Sequence, residues 1–511
     1  MRQPSVAVIL LATAAIMPAQ AASEQDSVLS YHGSSDRSGS FIVPGLTWQS
    51  AKSVHLDPNF HGRVRGNLYA QPLYWRPGVS QQDSGRTAGT LLVATENNNV
   101  QALDALTGDE IWTRSLGGPV SRSALRCGNI NPLGVTGTPA IDTATESILL
   151  DAAIADSSGP HHRVFALSLK DGSVLPGWPI DVADALRASR QAVNQVFNAR
   201  DQNQRGALAI LNGTLYVPFG GHFGDCGDYH GWVIGVSLRD PRRVSSWSTR
   251  ARGGGIWAPG GISIAGDSLL AATGNTFGAS TWSDGEAVIR LAPDLHRSVD
   301  KRDFFAPSDW RALDDRDADL GGSNPVPIDV EGQNGRQALV LALGKDGRAY
   351  LLDRNNLGGI GGALVVEALT QRPIRTAPAV YSVGGDAFVA LHAQAARCPS
   401  RSPDAGSGNE LVVLRIGAGS PPRLSTSWCG GVRGAGSPIV TTSDGHSDPI
   451  VWMVGAEGDN RLHGFRGDTG EPVFPGHLGP IMTGLHHFQT LIATNDRLYV
   501  AADGRVYAFA F

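Results

Sequence analysis

Cysteine, lysine and long apolar runs are all scarce in this sequence. None of the four cysteines stands in a C-x-x-C-H motif, which excludes a haem attached covalently to the chain. Lysine is rare, the arginines are dispersed and the net charge is −5, so the chain lacks the basic stripe that binds DNA or RNA. Only the first residues form a long apolar run, so no membrane anchor is expected elsewhere.

The N-terminus has the three parts of a secretory signal peptide. Arg2 precedes an apolar run from Val6 to Met17, and Ala19-Gln20-Ala21 is a small-residue cleavage site. The run is too short to span a bilayer, and no cysteine follows it that could carry a lipid. We therefore expect residues 1–21 to be removed and residues 22–511 to be exported as a soluble periplasmic or secreted protein.

Glycine is abundant, with 64 residues. One short sequence pattern also recurs along the chain. Its clearest copy is residues 90–112, in which two apolar runs flank a polar turn at Glu96–Asn99. Because Asn tolerates positive φ, this pattern predicts a hairpin. The segment Asp104–Gly108 then predicts a tight turn into a third strand, which ends at Trp112. Repetition of such a unit indicates a repeat architecture.

Eight copies of this unit can be followed, and the last one, which ends at Phe511, lacks an outer strand. A lone strand near Trp48, within residues 41–57, has no partners of its own. We predict that it completes the last repeat, because closing the ring leaves no sheet edge exposed. The predicted fold class is all-β: a single closed eight-bladed β-propeller of four-stranded blades over residues 22–511.

The even number of cysteines in a chain predicted to be exported allows two disulfides. Spacing alone cannot fix the pairing. We favour Cys398–Cys429, which would lie within one repeat, and Cys127–Cys226, which would link two repeats.

The repeat ALDALTGDEIW, residues 102–112, resembles that of the pyrroloquinoline quinone (PQQ) propellers. This family comprises the quinoprotein alcohol dehydrogenases and non-enzymatic relatives. The resemblance covers most of the chain after the signal peptide. It is fairly specific for the fold but not for function, because the same blades occur in scaffolding proteins.

Two segments near the middle of the chain are similar to the family's cofactor site. Residues 253–257, GGGIW, resemble the glycine-rich segment whose Trp stacks under the quinone. Residues 273–275, TGN, resemble the motif whose Asn binds calcium, and the family keeps the separation seen here. The resemblance therefore implies that Trp257 forms the floor of a quinone site and that Asn275 is a metal ligand.

Two further segments complete the implied site. Asp319 best matches the catalytic Asp, which also binds the metal, and Gly321 falls where lanthanide-dependent members carry an extra Asp. The implied metal is therefore calcium (Ca2+). Lys345 matches the Lys or Arg that contacts the quinone oxygens, and Arg126 and Arg205 are candidates for its carboxylates.

These roles agree with the chemistry of each side chain. Trp offers the largest flat area to a quinone, and amide and carboxylate oxygens suit calcium. In the implied reaction the metal polarises a quinone carbonyl and Asp319 takes the proton of an alcohol, while hydride passes to the carbonyl carbon.

The sequence departs from the family at two places. Arg126-Cys127 stands where many members carry adjacent cysteines, so the vicinal disulfide that caps the quinone cannot form. In the turn at 220–224, His222 replaces the metal-binding Glu, although calcium prefers oxygen ligands. Asp225 or Asp228 could supply the missing carboxylate.

Each of these residues also has a structural interpretation. Trp257 could plug the channel, Asn275 could serve a turn and Asp319 could belong to a solvated acidic loop. Lys345 could be an ordinary hairpin residue. The mixed ligand types within residues 222–230 could suit a transition metal, but we favour a structural loop because a disulfide would consume its cysteine.

The function favoured by these observations is a PQQ- and calcium-dependent dehydrogenase that oxidises an alcohol or a sugar-like hydroxyl. Its substrate would be a small molecule or a polymer, and its electrons would pass to a separate acceptor such as cytochrome c. We expect a monomer without nucleic-acid partners. The alternative is a cofactor-free propeller that acts as a binding or assembly module, which His222 and the missing vicinal disulfide favour.

Overall fold

The computed structural model describes residues 26–77, 89–189, 195–332, 335–400, 402, 408–474 and 476–511. The predicted signal peptide, residues 1–21, lies outside the described residues. The described chain forms eight sheets, which follow one another along the sequence. The predicted eight-bladed propeller is therefore confirmed.

Each blade is numbered in chain order, and its strands follow one another from the axis outwards. Blade 1 contains Leu73–Trp75, Thr90–Ala94, Asn99–Asp104 and Glu110–Ser115, and blade 2 contains Ala140–Asp142, Ser147–Asp156, Gly159–Ser168 and Ile180–Asp181. Blade 3 contains Gln202–Asn203 and Ala209–Leu211, which share the partner Thr214–Gly221, then Trp232–Ser237 and Val244–Ser248. Blade 4 contains Ser263–Ala265, Ser268–Thr273, Ala287–Leu291 and Phe304–Ala306, with Gly359–Ile360 added outside in parallel.

The second half of the ring repeats the pattern. Blade 5 contains Val326–Gly332, Gly335–Leu343, Arg348–Asp353 and Val365–Ala368, and blade 6 contains Ala379–Val383, Asp386–His392, Leu411–Gly417 and Arg423–Gly430. Blade 7 contains Ile439–Thr442, Ile450–Val454, Leu462–Arg466 and Pro472–Phe474. Blade 8 contains Leu491–Ala493, Arg497–Ala502, Arg505–Ala510 and, as its outer strand, His55–Leu56.

Helices among the described residues are few and short. The α-helices are Val182–Ala188 and Trp310–Arg316. The 3-10 helices are Tyr31–Gly33, Ser50–Ser53, Arg122–Ala124, Lys301–Asp303, Leu320–Gly322 and Gly476–Leu478. None of the helices in the described part of the chain is long and apolar enough to cross a membrane.

The recurring sequence pattern forms the hairpin and the turn that its residues predict. In blade 1 the hairpin turn has Asn98 at φ 55°, and the next turn has Gly108 at φ 78°. Trp112, at the end of this sequence pattern, donates a hydrogen bond from Nε1 to Leu169 O of blade 2 at 3.0 Å. Trp428 of blade 6 does the same to Gly467 O of blade 7, also at 3.0 Å. A terminal Trp therefore fastens a blade to the next one.

The ring closes in a slightly different way from the prediction. The outer strand of blade 8 is His55–Leu56, which pairs with Ala510 and Phe509. Trp48 does not belong to this strand; it lies in a turn, where its Nε1 donates to Pro449 O at 3.0 Å. The prediction that a strand within residues 41–57 completes the last blade is confirmed, but its placement at Trp48 was wrong, because the apolar pattern of these residues is divided between two short strands and a 3-10 helix.

Residues 26–43, which we call the axial segment, run along the inner edges of the blades. Backbone hydrogen bonds connect the segment to blades 1, 2, 4, 6 and 7, at Tyr74, Ile141, Ile264, Val380 and Val440. Its strand Ser40–Ile42 pairs in parallel with the inner strand of blade 7. Arg37 is fully buried and donates to Leu208 O at 2.7 Å and to Ile262 O at 2.9 Å. The axial segment therefore binds opposite sides of the ring together.

Because the strands of a blade alternate in direction, two kinds of loop open at the same end of the ring. These are the loops that lead into inner strands and the loops that join second to third strands. We call this end the upper end. Both predicted disulfides are present: Cys127–Cys226 links upper-end loops of blades 2 and 3, and Cys398–Cys429 lies within blade 6.

Candidate functional site

Three of the predicted site residues meet at the upper end, between blades 4 and 5. Trp257 and Asp319 lie in the loops that lead into these blades, and Lys345 lies in a turn of blade 5. Trp257 Nε1 donates a hydrogen bond to Asp319 Oδ2 at 2.8 Å. Lys345 Nζ lies 3.2 Å from the same oxygen and 5.3 Å from the centroid of the Trp257 ring. The three side chains therefore form one group, which we call the Trp257 cluster.

Two glycines make this close approach possible. A Cβ at Gly274 would lie 2.9 Å from Asp319 Oδ2 and 3.2 Å from Trp257 Nε1. A Cβ at Gly321 would lie 2.6 Å from Gly274 N. Backbone atoms of blade 4 therefore fill the space that a side chain at position 321 would need, so the loop has no room there for an additional Asp.

Burial gives Asp319 unusual acid–base properties. The residue is 2% exposed, and burial raises the pKa of its carboxyl to about 6, although the charge of Lys345 opposes the shift. For Lys345, burial alone would lower the pKa of the ammonium group. The charge of Asp319 and a hydrogen bond to Asp317 Oδ1 at 2.5 Å outweigh burial and raise it. A carboxyl with a pKa near 6 beside a permanent cation can accept a proton at neutral pH.

Sequence reasoning missed a second buried carboxyl beside Asp319. Glu286 is fully buried, and its Oε2 accepts a hydrogen bond from Leu320 N at 2.6 Å. Burial, and then the charge of Asp319, hold the pKa of Glu286 well above its ordinary value. Among the described residues, Glu286 Oε1 and Asp319 Oδ1 both lack a hydrogen-bond partner. The only signal in the sequence was an acidic residue directly before the apolar strand Ala287–Leu291.

Asn275 lies next to the cluster. It is 4% exposed, and its backbone oxygen accepts a hydrogen bond from Gly254 N at 2.6 Å. It follows Gly274, the residue whose Cα faces Asp319. Among the described residues, no hydrogen bond joins the Asn275 side chain to Asp319. The role of Asn275 as a metal ligand therefore stays a prediction.

His222 lies among groups of blades 2 and 3. It is buried, and burial, then the nearby His162, lowers its pKa to about 4. Its Nε2 has no partner among the described residues, and its Nδ1 lies 3.7 Å from where Gly128 would carry a Cβ. None of these neighbours belongs to the Trp257 cluster, and the structure shows no metal ligand set that includes His222.

A disulfide and several hydrogen bonds hold the loop at 222–230 in position. Cys226 is in a disulfide, as predicted, so its thiolate is not a metal ligand. Tyr229 donates its hydroxyl to Asp225 Oδ1 at 2.6 Å, and Arg252 donates to the backbone oxygens of Asp225 and Gly227 at 2.7 Å. His230 Nδ1 lies 3.0 Å from Thr249 O. The Asp225 carboxylate is thus engaged within its own loop.

The other predicted cations lie elsewhere at the upper end. Arg126 is 52% exposed, and its Nε donates to Asp201 Oδ1 at 2.7 Å. Arg205 lies at the axis, where the loop that leads into blade 3 ends. Neither arginine is joined to Asp319 or Lys345 by a contact among the described residues.

The Trp257 cluster combines an indole ring, an adjacent ammonium group and a buried carboxylate oxygen that has no hydrogen-bond partner among the described residues. No group of three His, Cys, Asp or Glu side chains within the described parts of the chain is arranged to hold a metal. Calcium on Asn275, Asp319 and His222 therefore stays a prediction.

Solved structures share this architecture. The quinohemoprotein alcohol dehydrogenase from Comamonas testosteroni is similar with a TM-score of 0.64 and 15% identity, covering 96% of this chain and 83% of that one. A europium-containing methanol dehydrogenase is similar with a TM-score of 0.66 and 12% identity, covering 96% and 99%. The fold is that of the quinoprotein propellers.

A third quinoprotein propeller agrees with the first two. The quinohemoprotein alcohol dehydrogenase from Pseudomonas putida HK5 has a TM-score of 0.64 and 13% identity, covering 96% of this chain and 81% of that one. No family model matches the sequence, and no curated protein matches it. At these identities the likeness establishes the fold alone.

Proposed function

We propose that this protein is an exported quinoprotein dehydrogenase that oxidises an alcohol or a sugar-like hydroxyl group. The observation that carries the proposal is the contact of Trp257, Asp319 and Lys345 at the upper end. A buried carboxyl with a pKa of about 6 is suited to accept a proton from a hydroxyl near neutral pH. The fold, which alcohol and methanol dehydrogenases share, is compatible with this reaction class but does not establish it.

Each residue of the cluster has a defined part in this proposal. The ring of Trp257 would hold PQQ by stacking, and Lys345 would contact the quinone oxygens. Arg126 would bind the carboxylates of PQQ through guanidinium nitrogens other than the Nε that donates to Asp201. The bound quinone supplies the hydride acceptor. Asp319 would take the hydroxyl proton on Oδ1, the oxygen that has no other partner among the described residues.

The proposed location and partners follow from the same chemistry. Two disulfides suit an oxidising compartment, which agrees with the periplasm or the exterior of the cell. Since the chain has no motif for covalent haem, electrons would leave to a separate acceptor such as cytochrome c. The substrate class is an alcohol or a sugar-like hydroxyl on a small molecule or a polymer.

Two observations favour the second candidate, a cofactor-free propeller that acts as a binding or assembly module. His222, which stands in place of the expected Glu, has its neighbours in blades 2 and 3. Cys127 pairs with Cys226, so no vicinal disulfide caps the space above Trp257. A propeller with neither feature can use the upper end as a binding surface.

A titration with PQQ separates the two candidates. We expect the full chain to bind PQQ saturably, with or without added calcium, as followed by visible absorption and quenching of Trp fluorescence. Trp257→Ala should weaken binding about fivefold or more, because aromatic stacking contributes about 1 kcal/mol. Trp48→Ala, at the opposite end of the ring, is the matched control and should bind normally. Absence of binding by the wild-type chain would establish the cofactor-free alternative.

A further inference from the structure

A second candidate site lies on the propeller axis, in a cavity that the proposed reaction does not use. The cavity has a volume of about 10 Å³ and lies where loops leading into blades 1, 2, 3, 4 and 8 meet the axial segment. Arg205 lines it, together with Tyr31 of the axial segment and Thr136 of the loop that leads into blade 2. The cavity is therefore enclosed by segments that are far apart in sequence.

Arg205 contributes a cation to this cavity. Its guanidinium carbon lies 5.5 Å from the centroid of the Tyr69 ring and 5.2 Å from that of Phe488, so the two rings hold it in place. Within the described structure no carboxylate forms an ion pair with Arg205 at 4.0 Å or less. Burial lowers the pKa of the guanidinium group, because the charged form has lost much of its hydration.

The carboxylates nearest to Arg205 are engaged with other groups. Glu96 is fully buried, its Oε2 accepts a hydrogen bond from Gly134 N at 2.7 Å, and burial raises its pKa to about 7. Glu96 is therefore only partly ionised near neutrality. Glu457 accepts from His487, whose Nδ1 lies 2.9 Å from Glu457 Oε1. Neither residue forms an ion pair with Arg205 within the described structure, although the charge of Glu96 and, less strongly, that of Glu457 act on the guanidinium group from farther away.

Two buried hydroxyl groups line the same cavity. Tyr31 is 3% exposed and Thr136 is 2% exposed. Neither Tyr31 Oη nor Thr136 Oγ1 makes a hydrogen bond of good geometry among the described residues, but Ser437 lies beside the Tyr31 hydroxyl and the Glu96 carboxyl lies beside that of Thr136. A buried hydroxyl that lacks a hydrogen bond of good geometry is destabilising, so these groups are available to donate to a ligand in the cavity.

We propose that this cavity binds one chloride ion, held by the Arg205 guanidinium group and the hydroxyl groups of Tyr31 and Thr136. The volume suits one sphere about the size of a water molecule, which excludes phosphate, carboxylate ligands and a quinone. The charge favours an anion over water, because an anion in contact with the half-buried guanidinium group would be a closer counter-charge than Glu96 is. The bound ion would join the axial segment to the loops leading into blades 2 and 3.

Thermal unfolding of the full chain in sodium chloride and in sodium gluconate of equal ionic strength tests this proposal. Chloride should raise the Tm by about 2–4 °C over a hundredfold range of concentration, and gluconate, which is too large for the cavity, should not. Arg205→Gln should abolish the difference between the two salts, and Thr136→Val should reduce it. Arg242→Gln, which removes an exposed arginine, is the control and should keep it.

A second measurement keeps the proposal testable if Arg205→Gln does not fold. Crystals of the wild-type chain grown in bromide should show an anomalous scattering peak in the cavity beside Arg205. A water molecule at that position, or a Tm that responds equally to chloride and gluconate, would overturn the proposal. Persistence of the chloride response in a folded Arg205→Gln variant would overturn it as well.

Discussion

Asp319 combines burial, a hydrogen bond from an indole and an oxygen without a partner among the described residues. An ordinary structural carboxylate has most of its oxygen lone pairs occupied, because an unpaired buried charge is costly. Lys345 and the backbone of Gly274 lie against the Asp319 carboxylate and hold it in position. These features make Asp319 the residue on which the proposed chemistry depends.

The proposed reaction should depend on pH through Asp319. Its folded-state pKa is raised to about 6, so the carboxyl is protonated and inactive as a base below this pH and ionised above it. We therefore expect kcat/KM for alcohol oxidation to rise as the pH increases through about 6 and then to level off. Steady-state dye reduction across this range measures the profile.

Asp319→Asn provides the matched comparison. It should lower kcat by about 10²–10⁴-fold and leave PQQ binding intact, because it removes a proton acceptor without removing the stacking surface. A profile that is flat through pH 6 in the wild-type enzyme would contradict the assignment, as would an Asp319→Asn variant with normal turnover.

For single residues, the sequence identified candidate site residues better than it identified the residues that contact them. Trp257, Asp319 and Lys345 could be chosen because each stands in a short motif that resembles the cofactor site of the PQQ propellers. Glu286 could not be chosen, since its importance arises only when the strand Ala287–Leu291 packs beside the loop that carries Asp319. Arg37 is a similar case, because its backbone acceptors lie in blades 3 and 4, far along the chain.

The elements follow the sequence closely wherever the signal is local. Alternating apolar residues and turn residues such as Asn98 and Gly108 predicted the repeat and its hairpins. The signal failed at Trp48, which is held by contacts with blade 7: its ring lies 3.7 Å from the guanidinium carbon of Arg466. A short strand such as His55–Leu56 has too few residues for a periodic pattern, so only pairing with blade 8 reveals it.

The two disulfides should differ in their contribution to stability. Cys127 and Cys226 are 99 residues apart in sequence, and Cys398 and Cys429 are 31 apart. Each bridge should contribute about 2–5 kcal/mol to the free energy of unfolding, and the longer loop should contribute about 1 kcal/mol more, because it restricts the unfolded chain more strongly. Denaturant unfolding of the two double Cys→Ala variants measures the difference. Equal losses would show that the unfolded-state restriction does not determine the effect.

At the scale of the whole molecule, residues 26–57 connect the blades and stabilise the closed ring. Residues 55–56 cover the edge of blade 8, and the axial segment forms hydrogen bonds with the inner strands of several blades. Exposed strand edges favour intermolecular pairing. The sequence predicted that the termini meet, but the passage of residues 26–43 along the axis could not be foreseen from a pattern only a few residues long.

Deletion of residues 26–57 should therefore cause aggregation of the chain, which we expect to be a monomer when intact. The truncated chain would expose Arg505–Ala510 as an unpaired edge and would leave the inner strands without the axial segment. Size-exclusion chromatography with light scattering would detect the change. A second variant, Leu56→Pro, blocks pairing at one position only and should give a smaller effect in the same direction. A monomeric, cooperatively unfolding truncated chain would contradict this prediction.

The pairing of Leu56 with Phe509 also fixes the order of events during biosynthesis. Residues 40–56 are synthesised early, whereas their strand partners, residues 440–442 and 509–510, are synthesised late. The early segment must therefore remain without these partners until almost the entire polypeptide has been synthesised. Arg37 is buried between blades 3 and 4 in the same way. The ring therefore reaches its final packing only when the N-terminal segment and the strands of blades 7 and 8 are both present.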